Sequence, residues 1–390
     1  MCRINFILIF LLLLTVRSQA FQFQKPVVGA AQTRTYLSLL EDKKVGLVVN
    51  HTSLVDGVHL VDLLLGNEIE VKKIFAPEHG FRGDVANGGE VVDGIDVNTG
   101  LPIISLYGEN RKPTSDQLKD IDVMVFDIQD VGCRFYTYIS TLHLVLEACA
   151  ENQVPLVVLD RPNPNGDYVA GPIRKPGYES FVGMDPIPIV HGCTVGELAQ
   201  MINGEGWYEN PVKCNLTVIP VDNYDHKTGY SLPVPPSPNL PNDLSVRLYP
   251  SLCFFEATSV SIGRGTDFPF QVIGGTNKEL GSFEFTPRSI PGVSDNPPLK
   301  GETCYGVDLR TLSEIPTFTL EYFLEFYHRY NNENEFLTRE RWLNLLAGTD
   351  DLINQIRAGK SEEEILDSWK PELEKYKQLR KKYLLYPDFE

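Results

Sequence analysis

Six acidic residues fall where the sequence predicts loops or strand ends, and their type suits the chemistry of glycoside hydrolysis. That reaction needs one carboxyl group to protonate the leaving oxygen and a second group to activate water or stabilise an oxocarbenium-like state. Each acid also has a simpler alternative role, as a helix cap or as the partner of an arginine. The six are Glu78, Asp127, Asp130, Asp160, Glu256 and Asp267.

Glu78 is the best candidate for the acid. It lies in the segment PEHGFRG (77–83), directly after the apolar run 71–76. Pro77 has no N–H to donate to a neighbouring strand, so the strand ends there and Glu78 falls on a loop. Pro77, Phe81 and the sheet edge can partly desolvate the carboxyl group, which favours its protonated form.

Four arginines form a second group of candidate residues, each beside glycine, proline or an aromatic residue. The planar guanidinium binds a carboxylate through two parallel hydrogen bonds, so these arginines indicate an anionic ligand. In the alternative interpretation they neutralise the acids of the same loops. The four are Arg82, Arg134, Arg161 and Arg264.

The sequence lacks the motifs of two other common classes of hydrolase. There is no G-x-S-x-G elbow and no H-E-x-x-H pair, which excludes the common serine-hydrolase and zinc-hydrolase patterns. His79 and His191 lie in promising loops, but a lone histidine there is more often a structural hydrogen-bonding group than a ligand. Tyr136 and Tyr138 can stack on sugar faces or pack beneath a site. We predict no metal and no cofactor.

The elements that position these residues alternate along the first half of the chain. Apolar runs at 45–49, 71–76, 102–106, 121–126 and 154–159 are separated by helix-like segments at 58–65, 115–120 and 141–152. This alternation predicts an α/β fold with a parallel sheet covered on both faces. The architecture is Rossmann-like, although no G-x-G-x-x-G follows the first run.

Polar residues follow every one of the five runs. Ligands of open α/β sheets bind beyond the carboxyl ends of the strands, so we expect these residues to share one rim of the sheet. In chain order they are Asn50 and His51; Glu78 and His79; Tyr107 and Arg111; Asp127, Gln129, Asp130 and Arg134; and Asp160, Arg161 and Asn163.

We predict three parts of the chain. Residues 1–20 carry Arg3, an apolar block from Phe6 to Leu14 and small residues at the end, the pattern of a secretory signal peptide. Residues 21–175 form the Rossmann-like catalytic domain. Residues 176–390 form a smaller α/β domain that completes the active-site cleft. The mature protein is expected to be exported to the periplasm or the extracellular space.

The second domain has recognisable local signals. Capping boxes at Thr194 and Ser361 predict helix starts, and the segment 214–220 alternates as a strand does. The proline-rich segment 233–241 must be a rigid extended loop, either a brace between the domains or part of the substrate groove. An apolar stripe with Pro371 at its start predicts a C-terminal packing helix.

Charge and cysteine content restrict the partners. Removal of residues 1–20 takes away Arg3 and Arg17 and no acid, so the formal charge changes from −17 to −19. Such a surface repels nucleic acid and anionic membranes, and we expect neither as a partner. The mature chain keeps six cysteines without a C-x-x-C pair, as disulfides or as buried free thiols.

Six ordered motifs extend over nearly the whole mature chain. They are PEHGFRG (77–83), FDIQDVGCRFYTY (126–138), DRPNP (160–164), HG (191–192), PSPN (236–239) and GRGT (263–266). Together they resemble the exo-β-N-acetylmuramidase family, formerly a domain of unknown function. The resemblance implies a Rossmann-like domain and a smaller α/β domain with the active site in the cleft between them.

The resemblance also implies an activity, the hydrolytic release of N-acetylmuramic acid from the non-reducing end of peptidoglycan-derived disaccharides or muropeptides. Glu78 matches the glutamate held to be catalytic in the family. We predict Glu78, Asp127 and Asp130 as catalytic residues. The predicted substrate-binding residues are His79, Arg82, Gln129, Arg134, Tyr136, Asp160, Arg161, Asn163, His191, Asn239, Glu256 and Arg264.

Muramic acid carries a lactyl carboxylate, so the resemblance gives the arginines a role, and we expect one or two of them to bind it. The identity of the second catalytic group stays open, since the 2-acetamido group of the substrate is an alternative nucleophile to a carboxylate. The alternative function is a non-catalytic periplasmic sugar- or muropeptide-binding protein. A nucleotide-sugar-dependent transferase fits less well, because export separates the protein from cytoplasmic donors.

Overall fold

The structure is a computed structural model in which residues 25–78, 80–82, 93–330 and 332–390 are described. The predicted signal peptide and His79 lie outside these residues. No helix in the described ranges is long and apolar enough to cross a membrane.

Among the described residues, twelve strands form three sheets. They are β1 (Val45–Val49), β2 (Leu54–Val55), β3 (Val58–His59), β4 (Val71–Ala76), β5 (Gly94–Ile95), β6 (Pro102–Ser105), β7 (Val123–Asp127), β8 (Leu156–Leu159), β9 (Leu216–Ile219), β10 (Val272–Gly275), β11 (Phe283–Phe285) and β12 (Cys304–Asp308).

Eleven α-helices and four short 3-10 helices complete the described structure. The α-helices are α1 (Thr33–Leu40), α2 (Leu60–Gly66), α3 (Ser115–Leu118), α4 (Tyr138–Asn152), α5 (Val195–Glu205), α6 (Asp243–Leu252), α7 (Glu321–Tyr330), α8 (Glu333–Phe336), α9 (Glu340–Ala347), α10 (Asp351–Arg357) and α11 (Glu362–Arg380). The 3-10 helices are Gly29–Ala31, Cys253–Ala257, Lys278–Leu280 and Leu309–Thr311.

The main sheet has seven strands in the order β5-β6-β4-β1-β7-β8-β9, and every neighbouring pair is parallel except β5 with β6. The six parallel strands, numbered along the chain, therefore stand in the order 3-2-1-4-5-6, which is that of a doubly wound α/β sheet. The prediction of a parallel sheet is confirmed. The sheet extends beyond residue 175, because β9 pairs with β8.

Both faces of the main sheet are covered, as the uniformly apolar strands require. Val45, Leu47 and Val49 of β1 pack in one core with α1 and α2, while Val48 packs in the other core, which contains α4. Successive strand residues point to opposite faces, so β1 contributes to two cores at once. This explains why all five of its residues are buried.

The apolar runs predicted the positions of the strands well, but they predicted the first residue of some strands too early. β1 and β4 have the predicted bounds, but β7 and β8 each begin two residues later than the runs at 121–126 and 154–159. Ile121 and Val154 are buried in the turns that lead into these strands, so apolar character there does not mark a strand. Helix α2 likewise begins after β3, capped by the imidazole of His59.

The C-terminal part contains the antiparallel sheet β10-β12-β11 and helices α6 to α11. Its core includes edge-to-face contacts between Phe255 and Phe326 and between Phe323 and Phe336. The capping boxes at Thr194 and Ser361 are both present. The prediction that a helix starts at Pro371 is wrong, because α11 begins nine residues earlier, at Glu362, and passes through the exposed Pro371. The six cysteines of the described residues are buried free thiols.

Asp160, at the end of β8, is a structural residue and not an exposed ligand. Its carboxylate accepts hydrogen bonds from Thr194 Oγ1, from Gly196 N in the first turn of α5 and from the hydroxyl group of Tyr386 near the C-terminus. The side chain is completely buried. It therefore fastens α5 and the C-terminal segment to the main sheet.

Arg134 also acts inside the fold. Its Nη1 donates to the carbonyl groups of Pro172 and Ile187 at 2.9 and 2.7 Å, and its Nη2 donates to the carbonyl of Leu346 at 2.9 Å. Burial lowers the pKa of the Arg134 guanidinium to about 9, so the group is still protonated at neutral pH. Arg134 thus joins the loop after β7 to the C-terminal helix α9.

Replacing Asp160 by Asn is expected to change how stability depends on pH. Burial raises the pKa of Asp160 from 3.8 to about 6. Between these values the folded state binds more protons than the unfolded state, so this group makes the free energy of unfolding fall as the pH rises from about 4 to about 6. The free energy of unfolding of the wild type minus that of D160N should therefore decrease by up to about 3 kcal/mol across that window. Urea unfolding at a series of pH values measures it.

The matched control for D160N is D267N, since the side chain of Asp267 is mostly exposed. The free energy of unfolding of D267N should differ from that of the wild type by a nearly constant amount over the same pH range. Parallel curves for wild type and D160N would contradict the assignment.

Replacing Arg134 by Met is expected to destabilise the fold strongly. The variant removes the Arg134 donors of three buried carbonyl groups, of which Ile187 keeps a hydrogen bond from Arg174 N. Each buried group left unsatisfied costs about 1–3 kcal/mol. Urea unfolding at neutral pH measures the loss, with R288M as a control because Arg288 is largely exposed. Equal stability of R134M and R288M would refute the structural role.

Candidate active site

A cavity of about 400 Å³ is bounded by residues from both halves of the chain. Glu78, Tyr107 and Thr137 contribute from loops and a helix start around the main sheet. Asn239, from the proline-rich loop, and Glu256 and Arg264, from the C-terminal part, contribute from the other side. The cavity therefore combines residues that are up to 268 positions apart in the sequence, from Glu78 to Leu346.

Glu78 follows β4, and its carboxyl group is held at both oxygens. The hydroxyl of Tyr107 donates to Oε1 at 3.2 Å, and Thr137 Oγ1 donates to Oε2 at 3.1 Å. Tyr138 donates to the Glu78 backbone carbonyl at 3.4 Å. Burial and the Glu78 charge raise the pKa of Tyr107 to about 12, so its phenol keeps its proton. This arrangement fixes the direction in which the carboxyl group faces the cavity.

Glu256 is the other carboxylate among the described residues that line the cavity. It lies on the 3-10 helix that follows α6, and its Oε1 accepts from Arg264 Nε at 3.2 Å and from Nη2 at 2.5 Å. The Arg264 guanidinium also lies over the ring of Phe270, 4.9 Å from its centroid. The structure thus brings together two predicted site residues, Glu256 and Arg264, in the same cavity as Glu78.

The proline-rich loop is a wall of the cavity. Asn239 lines it, with Nδ2 donating to the carbonyl of Val293 at 3.1 Å. Tyr136 lines it as well and donates through its hydroxyl to the carbonyl of Pro236 at 2.6 Å, which fastens the loop to the segment before α4. The loop was predicted to be either a brace between the domains or part of the substrate groove. In the structure it lines the cavity directly.

Asp127 and Arg161 do not line this cavity. Arg161 donates from Nε to Asp127 Oδ1 at 2.5 Å and from Nη2 to Oδ2 at 2.9 Å, and both side chains are buried. The alternative that an arginine neutralises a loop acid is the correct one for this pair. Gln129 is also buried and donates to the carbonyl groups of Asp130 and Pro162. The geometry gives no support to catalysis by Asp127.

Asp130, Asn163 and His191 form another buried group outside the cavity lining. Asp130 Oδ2 accepts from Gly132 N at 2.6 Å and lies 3.5 Å from His191 Nε2. Gly132 has a positive φ of 78°, and a Cβ there would lie 2.1 Å from Asn163 Oδ1. The motif around Gly132 therefore encodes a tight turn against Asn163, and the three polar residues stabilise it.

Arg82 belongs to a different cavity, which contains His59 and Asp62. Its Nε and Nη2 donate to the carboxylate of Asp96 at 3.1 and 2.9 Å. Asp160 and Arg134 also lie outside the main cavity, in the structural roles described above. Of the four candidate arginines, Arg264 alone lines the cavity that contains Glu78.

Several cavity residues were not predicted as site residues. Thr137 lies inside the motif at 126–138, and Tyr107 and Arg111 follow β6, so their positions were visible but their roles were not. The Arg111 guanidinium lies over the ring of Phe181, 4.4 Å from its centroid. Trp342 of α9 had no sequence signal, because a tryptophan on an amphipathic helix normally indicates packing.

Comparison with known proteins identifies the family of the chain. Two family models match the chain, "Exo-beta-N-acetylmuramidase NamZ, N-terminal" over residues 45–244 and "Exo-beta-N-acetylmuramidase NamZ, C-terminal" over residues 247–386. The chain is 40% identical over 375 residues to the peptidoglycan beta-N-acetylmuramidase NamZ of Bacillus subtilis (strain 168), covering 90% of this chain and 89% of that protein.

Two crystal structures of DUF1343 family proteins from Bacteroides fragilis NCTC 9343 are similar to the whole fold. The first is 47% identical with a TM-score of 0.87, and the match covers 94% of this chain and all of the other. The second is 30% identical with a TM-score of 0.81, covering 93% and 99% of the two chains. With both family models and a relative matched over nine-tenths of its length, this chain belongs to the exo-β-N-acetylmuramidase NamZ family.

Proposed function

We propose that this protein is an exo-acting glycosidase that releases N-acetylmuramic acid from the non-reducing end of peptidoglycan-derived disaccharides or muropeptides. The observation that carries the proposal is the carboxyl group of Glu78, held by Tyr107 and Thr137 at the wall of a cavity large enough for a sugar. Membership of the family and the name of the Bacillus relative support it. The cavity, bounded by both halves of the chain, is the proposed active-site cleft.

Glu78 is assigned as the general acid that protonates the glycosidic oxygen. Its two neutral hydroxyl partners can accept a hydrogen bond from the protonated acid or donate one to the carboxylate, so they suit both states of the cycle. Asp127 and Asp130 are not retained as catalytic residues. Glu256 and the 2-acetamido oxygen of the substrate are the two groups available for the second role.

The proposal extends to the compartment and the scaffold. Residues 1–20 have the composition of a signal peptide, and a peptidoglycan substrate lies outside the cytoplasm, so we propose export to the periplasm or extracellular space. The doubly wound strand order supports a Rossmann-like description of the N-terminal part.

The test of Glu78 compares two substrates that differ in how much the leaving group needs a proton. E78Q should lower kcat by about 10²–10⁴-fold on a disaccharide of N-acetylmuramic acid and N-acetylglucosamine. On 4-nitrophenyl N-acetyl-β-muramide the loss should be much smaller, because nitrophenolate leaves without protonation. Sugar release is measured by chromatography and by absorbance, with no nucleotide added.

The control for this test is E363Q, which removes an exposed carboxylate in the first turn of α11 and should change neither rate. Equal losses on both substrates would exclude the acid role of Glu78. Binding of the disaccharide by the wild type without any hydrolysis would support a sugar-binding protein instead. E256Q and NMR of the released anomer then distinguish Glu256 from the acetamido group.

A further inference from the structure

The wall of the cavity contains polar atoms that the protein itself does not satisfy. Among the described residues, Ser180 Oγ, Asn239 Oδ1, Arg264 Nη1 and Trp342 Nε1 are buried, lack a hydrogen-bond partner and belong to residues that line this cavity. Buried polar groups in native proteins are nearly always paired, because an unpaired one has lost its water without compensation. Their grouping around one cavity indicates a ligand of complementary chemistry.

Arg264 has one edge of its guanidinium occupied and one available. Glu256 Oε1 accepts from both Nε and Nη2, which leaves Nη1 as the unpaired donor. The Arg264 side chain is only 15% exposed, so bulk water does not take the place of a partner. A guanidinium can bind a carboxylate on each of its edges, since its five N–H groups lie in one plane.

Trp342 Nε1 is a second unpaired donor, on a residue that lines the same cavity as Arg264. Both Trp342 and Arg264, together with Glu256, also line an adjacent cavity of about 460 Å³, so these residues form the partition between two cavities. The indole N–H can donate and cannot accept, and the same is true of the guanidinium. The ligand group at this partition must therefore be an acceptor, and the arginine favours a negatively charged one.

We propose that Arg264 Nη1 and Trp342 Nε1 form the subsite for the lactyl carboxylate of the muramic acid residue. Glu256, whichever group takes the second catalytic role, also positions Arg264 by holding the other edge of its guanidinium. This subsite rests on the proposed function for the identity of its ligand. Asn239 Oδ1 is an acceptor for a hydroxyl or amide group of the same sugar. The subsite makes the carboxylate, in addition to the sugar ring, a determinant of specificity.

Arg111 is the competing site for the carboxylate, because it also lines the cavity. Its side chain is exposed, its Nε already donates to the carbonyl of Gly108, and its guanidinium lies on Phe181. Exposed charges are screened by water and salt, so Arg111 is expected to contribute less than the buried pair of donors.

The experiment measures binding in the E78Q background, so that its outcome does not depend on hydrolysis. Two ligands are compared by calorimetry: 4-nitrophenyl N-acetyl-β-muramide and the same compound with the lactyl carboxylate converted to its amide. E78Q should bind the acid at least about tenfold more tightly than the amide, the usual effect of a hydrogen bond to a charged group. W342F removes the N–H but keeps an aromatic ring, and it should lose about tenfold on the acid with little change on the amide.

R264K should reduce the preference for the acid in the same way, since lysine keeps the positive charge but lacks the planar set of donors of the guanidinium. E256Q should weaken binding of the acid less than R264K does, and R288A, which removes an exposed arginine, should retain the full preference. Thermal unfolding of each variant checks that it is folded. An unchanged preference in W342F and R264K, or a preference lost in R111A alone, would overturn the proposal.

Failure of the proposed function gives a different pattern. If the wild type hydrolyses neither substrate but E78Q still prefers the acid through Trp342 and Arg264, the subsite stands and the activity assignment falls. If hydrolysis is observed and E78Q shows no preference between acid and amide, the activity stands and the subsite falls.

Discussion

The parallel pairing of β1 with β4 on one side and β7 on the other is the constraint on which the site depends. Parallel strands end at the same edge of the sheet, so the loop after β4, which carries Glu78, and the loop after β7, which leads to Thr137, leave that edge on either side of β1. Tyr107, after β6, reaches Glu78 for the same reason. The acid and its two hydroxyl partners are therefore a consequence of strand order.

Many charged residues near this rim hold the fold together and do not line the site. Asp127 and Arg161 neutralise each other in a buried pair, and Arg134 donates hydrogen bonds to three carbonyl groups. Buried charges are tolerated only when they are paired or hydrogen-bonded, which these are. Their burial keeps the loops in place, and that placement gives Glu78 and Arg264 their positions in the cavity.

The fold was largely predictable because it follows from local patterns. Apolar runs marked five of the six parallel strands of the main sheet, and the capping boxes at Thr194 and Ser361 marked two helix starts. The errors also have local causes: Ile121 and Val154 extend apolar character into turns, and Pro371 sits on the exposed side of α11, where its ring meets solvent and only one helix hydrogen bond is lost. β9 lies beyond the predicted domain boundary at residue 175 and still belongs to the main sheet, because strand pairing depends on contacts between segments that are distant in the sequence.

The site was predictable only in part, and the reason is geometric. The sequence by itself determined that Glu78 follows a strand end, that acids and arginines gather on one rim, and that the motifs are those of one family. Only the tertiary structure decided which charges meet: Arg161 pairs with Asp127, Arg264 with Glu256, and Trp342 reaches the cavity from α9. Sequence spacing sets which residues follow a strand, whereas burial and pairing depend on which segments the fold brings together.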